Sequence, residues 1–542
     1  MNEAILNVLQ SGNEEEMIDV LKNFNVKYAQ AFSFPDIKRE MKEKLIETLV
    51  DRLNMKGSSR FFCLCLETIR ILSREKQGME AMTRESVLRL LIQHAGLHVY
   101  ESEEATSQGG DTEVMVEAQK SLCNIIFNSP TAQRICSGNG CVDGIVMRLK
   151  TYKNPELIHD IKFFDMRILF LLTALCADIR PKLRSDLHGL TYLIEVLDLT
   201  LRDKEEKKVP LNDQDVDLCC EILKILFNLT VSLDKTNLDE EEEAHFLRLV
   251  SVLHDLLTCK TASKDKKEEL HSHTVNLLIN MPPESYEELL TPMNEGAAGG
   301  VENKDIEYDG RNMEAVVALL AFLEKKLDSP QRNVKESLTP ILHCLCECCR
   351  ANRNIRKFGR IKVLPHLRDE VKRLPEEGDS VRNKLCKLLT NPVTEVKDLA
   401  ADLLFVLCKE SVARFVKYTG YGNAAGLLAQ RGLMCGGRGA QYSSESEESE
   451  TEEYAELKNK INPVTGRYEE DKPNPMEGMS DEQKEYEAME LVKVLDKLNR
   501  EGLVQPMQVG EDGRPRTMDH ILELVHDIQE AGPAARHSDE DD

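Results

Sequence analysis

The chain has 542 residues, with 70 basic and 95 acidic side chains and a formal net charge of −25. That balance argues against nucleic acid or an anionic membrane surface as the main partner. Hydrophobic residues make up 41% of the chain, enough for a sizeable core, yet Trp is absent, and scarce alternating runs argue for an all-α fold.

There is no apolar run of membrane-spanning length, and the start, MNEAILNVLQSGNEEE, has no basic segment followed by an apolar one. No integral membrane segment is expected, and the chain reads as soluble and intracellular. Sixteen cysteines are present. Cys63, Cys65, Cys123, Cys219 and Cys220 stand on helix faces where Ala or Val would serve, so reduced core thiols are expected.

In chain order, residues 1–55 read as two amphipathic helices broken near Ser33-Phe34-Pro35, an N-terminal cap. Glu67–Lys76 (ETIRILSREK) is the first copy of a pattern that the chain restates. A polar linker follows from Tyr100 to Thr112. The pattern is clearest in Ser121–Gln133 (SLCNIIFNSPTAQ), where Leu122, Ile125 and Ile126 form an apolar stripe, Asn124 interrupts it, and Asn128-Ser129-Pro130 ends the helix. It returns in Leu171–Leu183, in Ile222–Leu233 with Asn228, and in His273–Pro283 with Asn276. Arg202–Asp213 reads as a charged loop, Lys235–Glu243 as an acidic stretch, and His271-Ser272-His273 as a helix-start feature. Pro292–Gly310 is too Gly-rich for a helix and reads as a loop on the outer rim.

Helical repeats resume at Asn312 and run to about Gly432, with looser copies at Leu342–Phe358 and Leu403–Phe415. Successive copies lie roughly 50 to 70 residues apart, about one multi-helix repeat each. A single helix cannot bury such a stripe, so its neighbours in a stack must. The expected fold is an armadillo/HEAT-like α-solenoid over residues 1–432. An acidic, phosphorylatable linker follows at 433–480. Two amphipathic helices are expected within 481–530, at Asp481–Arg500 and Met518–Ile528, and an acidic tail at 531–542.

An amide amid apolar residues needs hydrogen-bonding partners. Asn124, Asn228 and Asn276 are therefore expected as a ladder on the inner helices, bonding an extended partner segment or the backbone of an adjacent repeat. A purely capping or inter-repeat role is the alternative. In the acidic run, Ser444 precedes Glu447 by three residues, as Ser449 precedes Glu452. That is the spacing an acid-directed, casein-kinase-type kinase favours. Arg353, Arg356 and Lys357 share one helix face.

His343–Cys349 (HCLCECC) superficially suggests a metal site, but zinc ligands converge from turns, whereas a helix disperses these thiols. No P-loop, HExxH or GxSxG sequence occurs. The glycines of Lys417–Gly426 do not follow a strand and read as a break between two helices. No metal, no cofactor and no covalent chemistry are expected.

Six segments resemble the synembryn family, also called resistance to inhibitors of cholinesterase: LETIRILSREK, SLCNIIFNSPTAQ, IKFFDMRILFLLTAL, KYTGYGNAAGLLAQRGL, INPVTGRYEEDKPNPMEGM and EQKEYEAMELVKVLDKL. The resemblance spans nearly the whole chain. It implies a cytosolic armadillo-like protein, recruited to the plasma membrane through its partner. That partner would be a heterotrimeric G-protein α subunit, GDP-bound or nascent and without βγ. The implied activities are receptor-independent guanine nucleotide exchange and chaperoning. The resemblance also implies that Arg70, Arg74 and Asn124, extended by Asn228 and Asn276, hold the α subunit's carboxyl-terminal helix in a concave groove. Ser444 and Ser449 would be phosphorylated and docked on Arg353, Arg356 and Lys357. The competing reading is an armadillo-type peptide-binding scaffold without exchange activity.

Overall fold

A computed structural model describes residues 2–97, 111–235, 237–292, 305–329, 333–436, 451–470 and 476–518. The chain divides into two compact units, Met1–Pro292 and Met293–Asp542.

The first unit carries α1 (Asn2–Ser11), α2 (Glu14–Tyr28), α3 (Arg39–Leu53), α4 (Ser59–Leu72), α5 (Glu85–His94), α6 (Thr112–Asn128) and α7 (Pro130–Gly138). It continues with α8 (Cys141–Leu149), α9 (His159–Leu175), the short turn α10 (Ile179–Pro181), α11 (Gly189–Lys207), α12 (Asp213–Thr230), α13 (Glu240–Thr258) and α14 (Lys264–Leu278). One layer runs in strict chain order: α2 packs on α4, α4 on α6, α6 on α9, α9 on α12, and α12 on α14. A second layer covers it, with α5 on α6, α8 on α9, α11 on α12 and α13 on α14. Neighbour-to-neighbour stacking of this kind defines an all-α solenoid. Leu122, Ile125 and Ile126 of α6, and Ile222, Ile225 and Leu226 of α12, are buried between the layers. Each such side chain contributes roughly 1.5–3 kcal/mol on leaving water.

Local sequence sets the helix ends. Ser129 accepts from the Ala132 amide and Pro130 opens α7, where its missing N–H costs nothing. Asn13, Asn212 and Asp239 form capping boxes with Glu16, Asp215 and Glu242, each cap worth about 1 kcal/mol.

Three expectations need correcting. Residues 1–55 hold three helices rather than two, because Asn13 caps a new helix two residues after α1 ends. The charged run from Arg202 is not a loop: α11 continues to Lys207 and stops at left-handed Lys208. Ion pairs such as Arg202–Asp198 (2.9 Å) hold that face. His271 and His273 do not start a helix; they lie in the interior of α14, which opens at Ser263 and Lys264.

The second unit carries α15 (Glu314–Asp328), α16 (Val334–Ala351), α17 (Arg353–Val363), α18 (Val381–Leu388), α19 (Thr394–Leu407), α20 (Val412–Thr419), α21 (Tyr421–Arg431), α22 (Glu452–Leu457) and α23 (Asp481–Arg500). Its core is α16 against α19, flanked by α15, α17 and α18. Gly420, at φ +76°, separates α20 from α21.

The described part of the expected linker folds back on these helices. Thr451 Oγ1 donates to the Leu367 carbonyl at 2.5 Å. Ile461–Asn462 pairs with Arg467–Tyr468 as a hairpin. That hairpin receives the Tyr421 and Gly422 amides on the Pro463 and Val464 carbonyls, both at 2.8 Å. Helix α23 buries none of its side chains. The helix expected at Met518–Ile528 lies, beyond Met518, outside the described residues, as do Ser444, Ser449 and the acidic tail.

Candidate functional site

The layer α4–α6–α9–α12–α14 carries a repeated polar register. Glu117, Lys120 and Asn124 of α6 stand at i, i+3 and i+7, and Glu221, Lys224 and Asn228 repeat that spacing on α12. Helix α4 offers Glu67 and Arg70, and Arg74 follows in the turn two residues past its end, in the asparagine's place. Side chains so spaced share one helix face. This Glu-x2-Lys/Arg-x3-Asn/Arg pattern is legible in the sequence once the copies are aligned, but attention to the asparagines alone misses its charged members.

The charges interlock from one repeat to the next. Arg70 Nε donates to Glu117 at 2.8 Å and Arg167 to Glu221 at 2.8 Å. Within the helices, Lys120 meets Glu117 at 2.9 Å and Lys224 meets Glu221 at 2.5 Å. Lys120 also sits over the Phe164 ring and Lys224 over Phe170, 5.5 and 4.9 Å from the centroids.

The asparagines bind back to the preceding repeat. Asn124 donates to the Arg70 carbonyl at 3.1 Å, Asn128 to the Ser73 carbonyl at 2.9 Å, and Asn228 to Thr173 Oγ1 at 3.1 Å. Two of these acceptors are carbonyls at the end of α4, which its own ladder leaves unmatched. The third is a hydroxyl near the end of α9. Each bond adds about 0.5–1.5 kcal/mol, and each half-buried amide keeps further hydrogen-bonding capacity. Asn276 does not make the inter-repeat bond. It makes no side-chain hydrogen bond among the described residues, and Asn280, one turn on, donates to Thr230 Oγ1 at 3.2 Å instead.

The two arginines four apart are not equivalent. Arg70 is shared between Glu117 and Glu67. Arg74 donates to the neutral Ala29 and Ala31 carbonyls at 2.8 and 3.2 Å and lies over the exposed Phe32 ring. Burial, then the neighbouring Arg70 charge, lowers its pKa from the ordinary value, so its cationic form is under-compensated.

In the second unit, Arg353 opens α17, which Asn352 caps. Arg356 donates to the Cys349 carbonyl at 2.9 Å. The structure brings Arg356 and Lys357 together with Arg360 and Arg414. Burial first, and then these four cations, push the Lys409 ammonium below its ordinary value. Lys409 and Arg414 lie about fifty residues beyond the others, so this basic patch is only half visible in sequence.

The cysteines among the described residues are free; only Cys435 is exposed, and Cys63 and Cys259 are half-buried. No described helix is long and apolar enough to cross a membrane.

The profile of the family described as guanine nucleotide exchange factor synembryn matches residues 65–514. The chain is a member of the synembryn family. It is 46% identical over 534 residues to Chaperone Ric-8A of Gallus gallus, covering 97% of each, and 45% identical over 552 residues to Chaperone Ric-8A of Danio rerio, covering 99% of this chain and 98% of that one. An engineered protein of solved structure covers 79% of this chain and 94% of its own length at 16% identity and a TM-score of 0.44. In this synembryn-family chain the charged groups of IKFFDMRILF have different duties: Arg167 joins the polar register, Asp165 is buried, and Lys162 donates to the Tyr152 carbonyl.

Proposed function

We propose that this synembryn-family chain is a receptor-independent guanine nucleotide exchange factor and folding chaperone for heterotrimeric G-protein α subunits. The family match over residues 65–514, with near full-length relatives named as chaperones, carries this reading. The polar register of α4, α6 and α12 supports the mode of binding. The α subunit's carboxyl-terminal helix lies along that face, with Arg74 gripping its terminal carboxylate and Asn124, Asn228 and Asn276 meeting its polar groups. A guanidinium holds a carboxylate through two parallel charge-assisted bonds. Arg74 is the better anchor, because Arg70 would have to give up Glu117 to serve.

Exchange without covalent chemistry follows from differential affinity. A protein that binds the nucleotide-free conformation more tightly than the GDP form shifts the equilibrium by that difference and no more. The same preference serves a newly made α subunit. Helix α23, with exposed Tyr486, Met489, Leu491 and Val494, supplies a second, apolar contact on the nucleotide-binding domain. Phosphorylation of Ser444 and Ser449 by an acid-directed kinase would add strong anionic acceptors, which dock on the patch around Arg353, Arg356 and Lys357.

GDP release from a purified α subunit tests the activity: this chain should accelerate it, and an unchanged rate would leave only a peptide-binding scaffold. Binding of an α subunit lacking its last dozen or so residues tests the mode. Undiminished affinity would overturn the assignment of the α4–α14 face. Replacing Ser444 and Ser449 with Ala should weaken binding only if the phosphates dock.

A further inference from the structure

Cys220 on α12 and Glu269 and His273 on α14 bring one ligating atom each to within 4.8 Å of one another. We infer that these three side chains form a binding site for a borderline-soft divalent cation such as zinc, which clamps α12 to α14. The inference is independent of the exchange activity proposed above.

The donor set is the first support. Thiolate, imidazole and carboxylate together select zinc among the common cations, with three protein ligands and one position left for water. Placement is the second. Glu269 and His273 stand four residues apart and share a helix face, while Cys220 projects from the helix packed against it. Around a tetrahedral zinc, ligand atoms lie about 3.3–3.7 Å apart, from Zn–S and Zn–N bonds of about 2.3 and 2.0 Å. Closing from 4.8 Å asks only rotamer adjustments, chiefly of Glu269, the exposed member of the three.

Two ammonium groups border the site, Lys224 and Lys266, and each is paired with a carboxylate outside the three ligands. Glu269 is held by Lys266 at 2.8 Å, but Lys266 also binds Asp217, so it keeps an anionic partner when Glu269 turns to a metal. His273 makes no side-chain hydrogen bond among the described residues, leaving its lone pair uncommitted. Glu221, one residue from Cys220, lies close enough to act on the His273 charge. Its Oε2 is buried without a partner, the kind of acceptor that orients a ligating imidazole. Sequence separation hides the site: Cys220 lies far from the other two, and the conspicuous HCLCECC run is elsewhere.

The test is a cobalt titration of the metal-free full-length chain. One equivalent should give a sulfur-to-cobalt charge-transfer band with tetrahedral visible bands, and zinc should abolish both. Cys220→Ser and His273→Gln should each lose the band and weaken zinc binding by at least about a hundredfold. Cys435→Ser, at the exposed thiol, should leave both unchanged. Zinc should raise the melting temperature of wild type and Cys435→Ser only. The metal-free melting temperature of His273→Gln, which loses no hydrogen bond, should match wild type, confirming its fold. A band that survives in Cys220→Ser or His273→Gln, or no band in wild type at micromolar cobalt, would overturn the proposal.

Discussion

Asp165 has no exposed surface, and a carboxylate so placed must be matched by neighbours. Arg148 grips both its oxygens at 2.8 and 2.6 Å, Gln119 donates at 2.7 Å and Tyr152 at 3.2 Å. One side chain thus ties α9 to α6, α8 and the turn after α8. Asp165→Ala leaves the Arg148 charge uncompensated and removes one of the two acceptors of the Gln119 amide, and should cost about 3–5 kcal/mol, read as a lower denaturation midpoint. The burial of His94 has the opposite charge logic. Its Nε2 pairs with the Leu53 carbonyl at 3.1 Å, and desolvation lowers its pKa from the ordinary 6.5. The folded state therefore disfavours the proton that the unfolded state takes up below 6.5. Stability from this group is complete above that value and declines as pH falls through it. A His94→Gln variant should show a flatter loss of melting temperature between pH 7 and pH 5. At the site itself, Arg74→Ala should weaken binding of a carboxyl-terminal α-subunit peptide by roughly 10- to 100-fold, the worth of a charge-assisted bond of about 1.5–3 kcal/mol. Equal affinity by fluorescence polarisation would remove Arg74 from the site.

At the level of elements, the segments KYTGYGNAAGLL and INPVTG are halves of one device. Gly420 adopts φ +76° and ψ 149°, a region that side chains other than hydrogen avoid. A Cβ there would lie 2.9 Å from the Thr465 carbonyl. The glycine lets the Ile461–Tyr468 hairpin press against the α20–α21 junction. Gly420→Ala should cost about 1–3 kcal/mol in strain and detach the hairpin, seen as faster amide exchange at 461–468. Unchanged protection would mean that the hairpin is held elsewhere. The break between α20 and α21 is legible from the glycines. The docking is not, because nothing local to INPVTG announces a partner some forty residues upstream.

Across the whole molecule, chemistry is distributed by burial rather than by motif. Most thiols are enclosed; burial first, with nearby carboxylates adding to it, pushes Cys63 up to about 11 and Cys346 up to about 12, so little thiolate exists near neutrality. Alkylation of the intact chain at pH 8 should label exposed Cys435 first, half-buried Cys63 and Cys259 more slowly, and the buried thiols only with unfolding. Early labelling of Cys344 or Cys348 would contradict the packing of α16 against α19. The fold class, the repeat spacing and the helix-stop signals were all legible in sequence, because stripes of Leu and Ile at helical period and Asn-Ser-Pro breaks are local properties of the chain. The pairing of Arg70 with Glu117 and of Arg167 with Glu221, the basic patch completed by Lys409 and Arg414, and the Cys220–Glu269–His273 group were decided only by tertiary structure. Each joins residues about fifty positions apart, and only the stacking of one repeat on the next brings such charges within reach.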